Sequence, residues 1–416
     1  MVLPGETHFQ ALSPKPFIST GVPFVEACKH HAVETFGAKR IYTIVSKSIS
    51  TTSNFTSLKD ALGDLVVGIR YGIRQHVPFP DVLEVANDLL TLQADLIVTL
   101  GAGSLTDGAK IASWAAANGA LTLDDLEKLR TNPQAKGCTI PTINIPTSLS
   151  GGEYNPSGGA TDLRNHRKSS FKHPSVVAEL VILDPELTLS TPERVWLSSG
   201  MRSVDHCVEG LCSIAFRLDG NENVDTAKAE GYFVEGLKRL LPGLLATKKT
   251  PGDLEARRTE MLGVLDAMRG MLLGVAVGAS HGIGHQLGPL GVGHGETSCV
   301  MLPSVLEWNR KHGDAWVRER QKKVLDAFWG VSTVVDALHR RGLSRETATA
   351  GQTVRAFVEE LGMPTSLASV GVGREKLKKV AENAMASPHI PTNPARIAGV
   401  DQIREILELA LEDAVW

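Results

Sequence analysis

"TLGAGSLTDGAK" (Thr99–Lys110) leaves an apolar run, "DLIVTLGAG" (Asp95–Gly103), passes through a glycine-rich turn, and enters a stretch with helical spacing, "LTDGAKIASWAAANG" (Leu105–Gly119). Gly101 and Gly103 let the backbone approach a ligand with no Cβ in the way, and the helix start offers N–H groups to an anion. Ser104 adds a hydroxyl. Taken alone, such a turn reads as an ordinary strand-to-helix connection, because one G-x-G-S match is a weak signal. A second loop changes the balance. "IPTSLSGGE" (Ile145–Glu153) also follows a strand and is also rich in glycine and hydroxyls. Two such loops at strand C-termini are where an open parallel sheet binds its ligand, so the pair predicts a nucleotide cofactor.

Outward from these loops, "RIYTIVS" (Arg40–Ser46), "LVVGIR" (Leu65–Arg70), "TINIPTS" (Thr142–Ser148) and "VVAELVILD" (Val176–Asp184) read as further strands. "DVLEVANDLLTL" (Asp81–Leu92) has helical periodicity. Strands separated by helix-length segments predict βαβ units around a parallel sheet. After "LDPELTLSTPE" (Leu183–Glu193) the pattern becomes long helical segments with no convincing strand. The boundary falls near Thr188–Pro192, which predicts an α/β dinucleotide-binding domain over 1–190 and an all-α catalytic domain over 191–416. The run "RNHRKSSFKH" (Arg164–His173) reads as a solvated basic loop.

Composition narrows the function classes. At 416 residues and 42% hydrophobic, the chain is too long for one ordinary core. Its formal net charge of −3, without a basic face, argues against nucleic acid or an anionic membrane as partner. The long apolar stretch Met261–Ala279 carries Asp266 and Arg269 and suits a buried helix better than a membrane span. The start "MVLPGETHFQ" lacks the pattern of a secretory signal. Five cysteines, never paired as C-x-x-C, fit a reduced, cytoplasmic setting.

Three of the 13 histidines stand in "ASHGIGHQLGPLGVGHG" (Ala279–Gly295). His281 and His285, four apart, share one helical face, and His294 arrives from the loop beyond. An i, i+4 imidazole pair with a distant third is ordinary metal-site geometry. Hydrogen-bonded core histidines are the simpler reading of any one of them.

Together "GAGSLTDGAK", "IPTSLSGGE", "HVPFPDVLEVA" (His76–Ala86), "ILDPELTLSTP" (Ile182–Pro192) and the tail "MPTSLASVGV…NPARIAGVDQIREIL" resemble the iron-containing alcohol dehydrogenase superfamily. The first is similar to the family's G-G-G-S-x-x-D-x-A-K signature. The second is similar to its P-T-T…G-S-E loop, in the form found in the maleylacetate reductase branch. The resemblance covers nearly the whole chain. It implies a dehydroquinate synthase-like fold, with an N-terminal dinucleotide-binding domain, a helical C-terminal domain and the site in the cleft between them. It also implies that Gly101, Gly103, Ser104, Thr147 and Ser148 contact NAD(P), with Asp107 and Lys110 at matching signature positions. The simplest role of that last pair is helix capping and surface pairing. After "RIYTIV" come Ser46, Lys47 and Ser48, with no carboxylate to reject a 2′-phosphate, so tolerance of NADPH is expected.

In iron-dependent members the first and last of the three histidines bind a divalent metal (iron or zinc), and the middle one sits near the nicotinamide and relays a proton. The other two ligands come from a G-M-D-x-x-x-H helix. Here that helix reads "SGMRSVDHCVEG" (Ser199–Gly210): His206 matches, but Arg202 replaces the Asp. A guanidinium stays protonated and cannot ligate a metal. Asp205, about 300° around the helix from Arg202, overlaps that face only in part. A solvent-facing Arg202 is the simpler reading. The alternative gives it the charge a metal supplies elsewhere, gripping a substrate carboxylate. His206, His281 and His294 are then either ligands of a weakened metal site or part of a cationic cradle.

The expected activity is that of a maleylacetate reductase-like enzyme. Hydride passes from NAD(P)H to a small unsaturated or keto acid, and His285 gives the proton, a role its ordinary pKa near neutrality suits. Metal content is expected below stoichiometric and turnover indifferent to chelator. A homodimer is the family habit. The alternatives are a non-redox isomerase, cyclase or lyase on the same fold, a metal-dependent alcohol dehydrogenase, and a silent binding protein.

Overall fold

The structure, a computed structural model, describes residues 2–11, 14–165, 167–217 and 224–412. Two compact units emerge, Met1–Thr191 and Pro192–Trp416.

The first unit begins with β1 (Thr7–Gln10), β2 (Phe17–Thr20) and α1 (Phe24–His30), which continues as a π turn over His31–Thr35. Then follow β3 (Ile41–Val45), α2 (Ser53–Leu62), β4 (Val66–Tyr71), α3 (Phe79–Thr91), β5 (Leu96–Gly101) and α4 (Gly103–Asn118). The unit closes with α5 (Leu123–Thr131), β6 (Thr142–Pro146), β7 (Ser157–Asp162), β8 (Arg167–Lys172) and β9 (Leu180–Leu183). Seven strands form one sheet in the order β1-β2-β9-β6-β5-β3-β4. Only the β1–β2 pairing is antiparallel. β3, β5, β6 and β9 are buried along their whole length, which is why β3, β5 and β9 read as near-continuous apolar or β-branched runs, while Asn144 Oδ1 of β6 accepts the Thr99 hydroxyl at 2.7 Å. On α3, Phe79, Val82, Val85, Ala86 and Leu89 form the buried stripe that a period of 3.6 predicts.

Two local readings are corrected. Val176–Asp184 is not one strand: Pro174–Val176 forms a 3₁₀ turn, and β9 starts only at Leu180. Arg164–His173 is not a solvated loop. Its residues Arg167–Lys172 form β8, paired antiparallel with β7 from Ser157↔Lys172 to Asp162↔Arg167, while His166 lies outside the described residues. Ser169 and Phe171 face inward, and Phe171 meets Phe79 edge-on at 5.6 Å. The alternation was masked because a serine holds one of the inward places.

The second unit is helical: α6 (Glu193–Cys212), α7 (Thr226–Lys249), α8 (Leu254–Leu272), α9 (Ala279–Leu287), α10 (His294–His312), α11 (Ala315–Trp329), α12 (Ser332–Arg340), α13 (Ala350–Glu360), α14 (Leu377–Ala384) and α15 (Val400–Leu409). It holds no strand among the described residues. α6 packs against α7, α8, α10 and α11 and is buried on nearly all sides. The α10 start presses so closely on α6 that a Cβ at Gly295 would stand 2.4 Å from the Ser198 carbonyl carbon. No helix among the described residues is long and apolar enough to cross a membrane.

Candidate active site

In the first unit, β4 lies on one side of β3 and β5 on the other, so the strand order reverses between β3 and β5. The carboxyl ends of strands at such a reversal are where an open α/β sheet takes its ligand. There, Ser46 N–H donates to the Leu100 carbonyl (3.0 Å) and Thr147 N–H to the Gly101 carbonyl (3.1 Å). Gly101 has φ +151°, and a Cβ on it would stand 2.9 Å from Leu105 and 3.1 Å from Ser46. Glycine alone keeps this recess open. No side chain caps the start of α4, so Gly103 and Ser104 present that helix end to a ligand. Thr147 and Ser148 are buried beside it, and the Ser148 and Ser150 hydroxyls are 3.1 Å apart. These residues fit a dinucleotide pyrophosphate.

Asp107 and Lys110 do not pair at the surface. Lys110 is buried, and its Nζ donates to the carbonyl oxygens of Gly152, Asn155 (2.9 Å) and Ser157 (3.0 Å) and to Asn155 Oδ1 (3.2 Å). Burial draws its pKa down to about 8. Asp107 Oδ2 accepts the Gly159 N–H at 3.1 Å, and burial raises its pKa. The two signature residues fasten the second glycine loop and β7 to α4.

In the second unit, α6 carries Arg202, Asp205, His206 and Glu209 at helical spacing, three of them buried among apolar neighbours. Arg202 is only 3% exposed, which rules out the solvent-facing reading. Its Nη1 donates to Ser298 Oγ at 3.1 Å and its Nη2 to His285 Nε2 at 3.2 Å. Glu209 caps α9 from the side: its carboxylate accepts the N–H groups of Gly278 (3.0 Å), Ser280 (2.8 Å) and His281 (3.4 Å). It also sits 2.8 Å from His281 Nδ1. Asp205 accepts the Ser280 hydroxyl at 2.8 Å. Burial raises both carboxyls, Asp205 to about 6 and Glu209 to about 8.

His281 and His285 lie on α9, and His294 opens α10 as its first residue rather than arriving from a loop. The rings of His206 and His281 are 4.7 Å apart, and those of His285 and His294 stack at 5.8 Å. His389, which the sequence reading missed, joins at 5.6 Å from His285 and 6.5 Å from His281. Burial, then the Arg202 charge, lowers the pKa of His206 to about 3 and of His389 to about 4, and drives that of His281 well down. Burial and the neighbouring guanidinium thus disfavour the charged forms of His206, His281 and His389.

The residues do not fit the family's metal. His281 Nε2 and His206 Nδ1 are buried without a partner, as ligands awaiting an ion would be. Yet among the described residues His206, His281 and His294 do not bring three ligand nitrogens within 4.8 Å of one another. Asp205, Glu209 and His281 do. There, however, both Glu209 oxygens and His281 Nδ1 are already committed to holding the α9 start. Arg202 adds a buried positive charge at the place of the missing carboxylate, and a buried cation repels a second one strongly. Glu209 and His389 were legible in part. The spacing Arg202-Asp205-Glu209 puts charges on a helical stripe, and "SPHIPTNPARI" sets one histidine amid prolines, but neither pattern says what it faces.

Residues 26–185 match the family described as iron-containing alcohol dehydrogenase, and residues 197–411 match its C-terminal domain. The chain is 41% identical to Dehydrogenase FUM7 of Gibberella moniliformis, across 95% of this chain and 96% of that one. It is 43% identical to Dehydrogenase ALT3 of Alternaria alternata, across 90% and 100%. A maleylacetate reductase of Rhizobium sp. is 30% identical across 86% of each chain. The crystal structure of a maleylacetate reductase from Rhizobium sp. superposes with a TM-score of 0.71 at 26% identity, covering 97% of this chain and 98% of that one.

Proposed function

The chain belongs to the iron-containing alcohol dehydrogenase family, near its maleylacetate reductase branch, and from that premise we propose that it is an NAD(P)H-dependent reductase of a small unsaturated or keto acid. Bound NAD(P)H supplies the hydride. The chain's own residues do the rest. The Gly101–Ser104 turn and the Thr147–Ser150 loop seat the pyrophosphate.

The observation that carries the reading is Arg202, buried in the place of a metal-binding carboxylate and bonded to His285. A guanidinium has no acceptor, so His285 Nε2 must be the lone-pair nitrogen in that contact. The ring's proton then sits on Nδ1, and that N–H is the group proposed to face substrate. The remaining N–H groups of Arg202 supply positive charge in a desolvated site, where a substrate carboxylate is held far more firmly than in water. Roles for His206, His281 and His294 follow as a polar wall around that carboxylate.

The test is turnover of the purified protein with NADH and with NADPH, before and after chelator. Maleylacetate and other small unsaturated or 2-oxo acids are compared with simple aldehydes. Acid-dependent loss of reduced-nicotinamide absorbance that survives chelation is expected. Turnover of simple aldehydes only when metal is added would sink the reading, as would acid conversion with no nicotinamide consumed.

A further inference from the structure

A second histidine cluster lies in the first unit, among elements that carry none of the cofactor loops. Glu6 immediately precedes β1 and His8 lies within it, two residues on. His31 opens the π turn that follows α1. One oxygen of Glu6 and one ring nitrogen each of His8 and His31 all lie within 4.8 Å of one another. The Glu6 and His31 side chains are completely buried, and His31 Nε2 stands 2.6 Å from Glu6 Oε1. His8 Nε2 is also buried, and it has no hydrogen-bond partner. We propose that Glu6, His8 and His31 form a zinc site that ties β1 to the end of α1.

The chemistry of the donors fits. Two imidazoles and a carboxylate are a zinc set, with ligand bonds of about 2.0–2.2 Å and a fourth position for water. Tetrahedral bonds of that length put ligand atoms about 3.3 Å apart. The present separations, 2.6 Å for the Glu6–His31 pair and at most 4.8 Å overall, bracket that value. The ligands are already oriented from behind. His31 Nδ1 lies 2.9 Å from Thr35 Oγ1, which leaves Nε2 for the ion, and Leu3 N–H donates to Glu6 Oε2 at 2.8 Å. Such outer contacts are the usual companions of metal-binding histidines. A plain Glu6–His31 ion pair explains two of the residues and leaves the buried nitrogen of His8 unexplained.

The test uses the full chain freed of metal by dialysis against chelator, titrated with Zn2+ against a chromophoric competitor and with Co2+ by its visible absorption. One Zn2+ per chain, a tetrahedral Co2+ spectrum and a Zn2+-dependent rise in Tm are expected. His8→Gln keeps the backbone pairing of β1 with β2, and it is expected to weaken Zn2+ by at least about tenfold and abolish the rise in Tm, with reductase turnover unchanged. Glu6→Gln is expected to lose the Co2+ spectrum. Failure of the unaltered chain to take up Zn2+ at micromolar concentration overturns the proposal. So does His8→Gln binding as tightly as the unaltered chain.

Discussion

Arg202 Nη2 lies 3.2 Å from His285 Nε2, so a permanent cation, not a metal, orients the histidine proposed to give the proton. The relationship is asymmetric. Arginine only donates, and the ring must therefore present its lone pair inward and its N–H outward.

Arg202→Ala removes both the charge and the constraint on the ring. Turnover is expected to fall by about 100-fold or more, within the range that a misplaced general acid costs. Arg202→Lys, a single donor without the fork, is expected to recover only part of it. Steady-state kinetics with saturating NADPH decide this. Full turnover of the alanine variant would remove Arg202 from the mechanism.

His285→Asn keeps a polar group but cannot relay a proton, and kcat is expected to drop by about 100- to 10,000-fold. Cofactor affinity, read from nicotinamide fluorescence, is expected to stay within a factor of about two, since the Gly101–Ser104 turn is untouched.

Glu209→Ala strips the start of α9 of the carboxylate that takes three backbone N–H groups. Buried donors left without partners cost about 1–3 kcal/mol each before relaxation. A loss of at least about 2 kcal/mol in denaturant unfolding is expected. An unchanged midpoint would show that water replaces the cap.

Lys110→Met releases the Gly152, Asn155 and Ser157 carbonyls that the ammonium gathers. The second glycine loop loses its anchor, and NAD(P)H is expected to bind about tenfold more weakly, equivalent to about 1.4 kcal/mol. Titration calorimetry reads it directly.

Glu260 gives the stability a pH dependence. It is fully buried, accepts from Trp196 Nε1 (2.7 Å) and Thr247 Oγ1 (2.6 Å), and burial lifts its pKa from 4.5 to about 7. Folding therefore favours the protonated form. The contribution is complete below pH 4.5 and is lost as pH rises through about 7, with a size on the order of 3 kcal/mol. Urea unfolding between pH 5 and 8 is expected to show a decline that Glu260→Gln flattens; identical slopes in the two proteins would contradict it.

Periodicity and spacing alone determined much of this protein. The strand-like runs at Ile41–Val45, Leu96–Gly101 and Thr142–Pro146 and the helix-length segments between them specify a parallel sheet, since strands buried on both faces need not alternate. The two glycine loops and the replacement of an aspartate by Arg202 were equally plain, being matters of residue identity at fixed positions. What Arg202 faces was not. An arginine on a helix has one appearance in sequence whether it meets solvent or a buried imidazole. Only the packing of α6 against α9 and α10 chose the second. The same limit hid Glu209 as the cap of α9, His389 as a member of the cluster and the Glu6–His8–His31 trio. Each joins residues from 23 to nearly 190 positions apart, and contacts at such separation are set by tertiary packing, which local pattern does not encode.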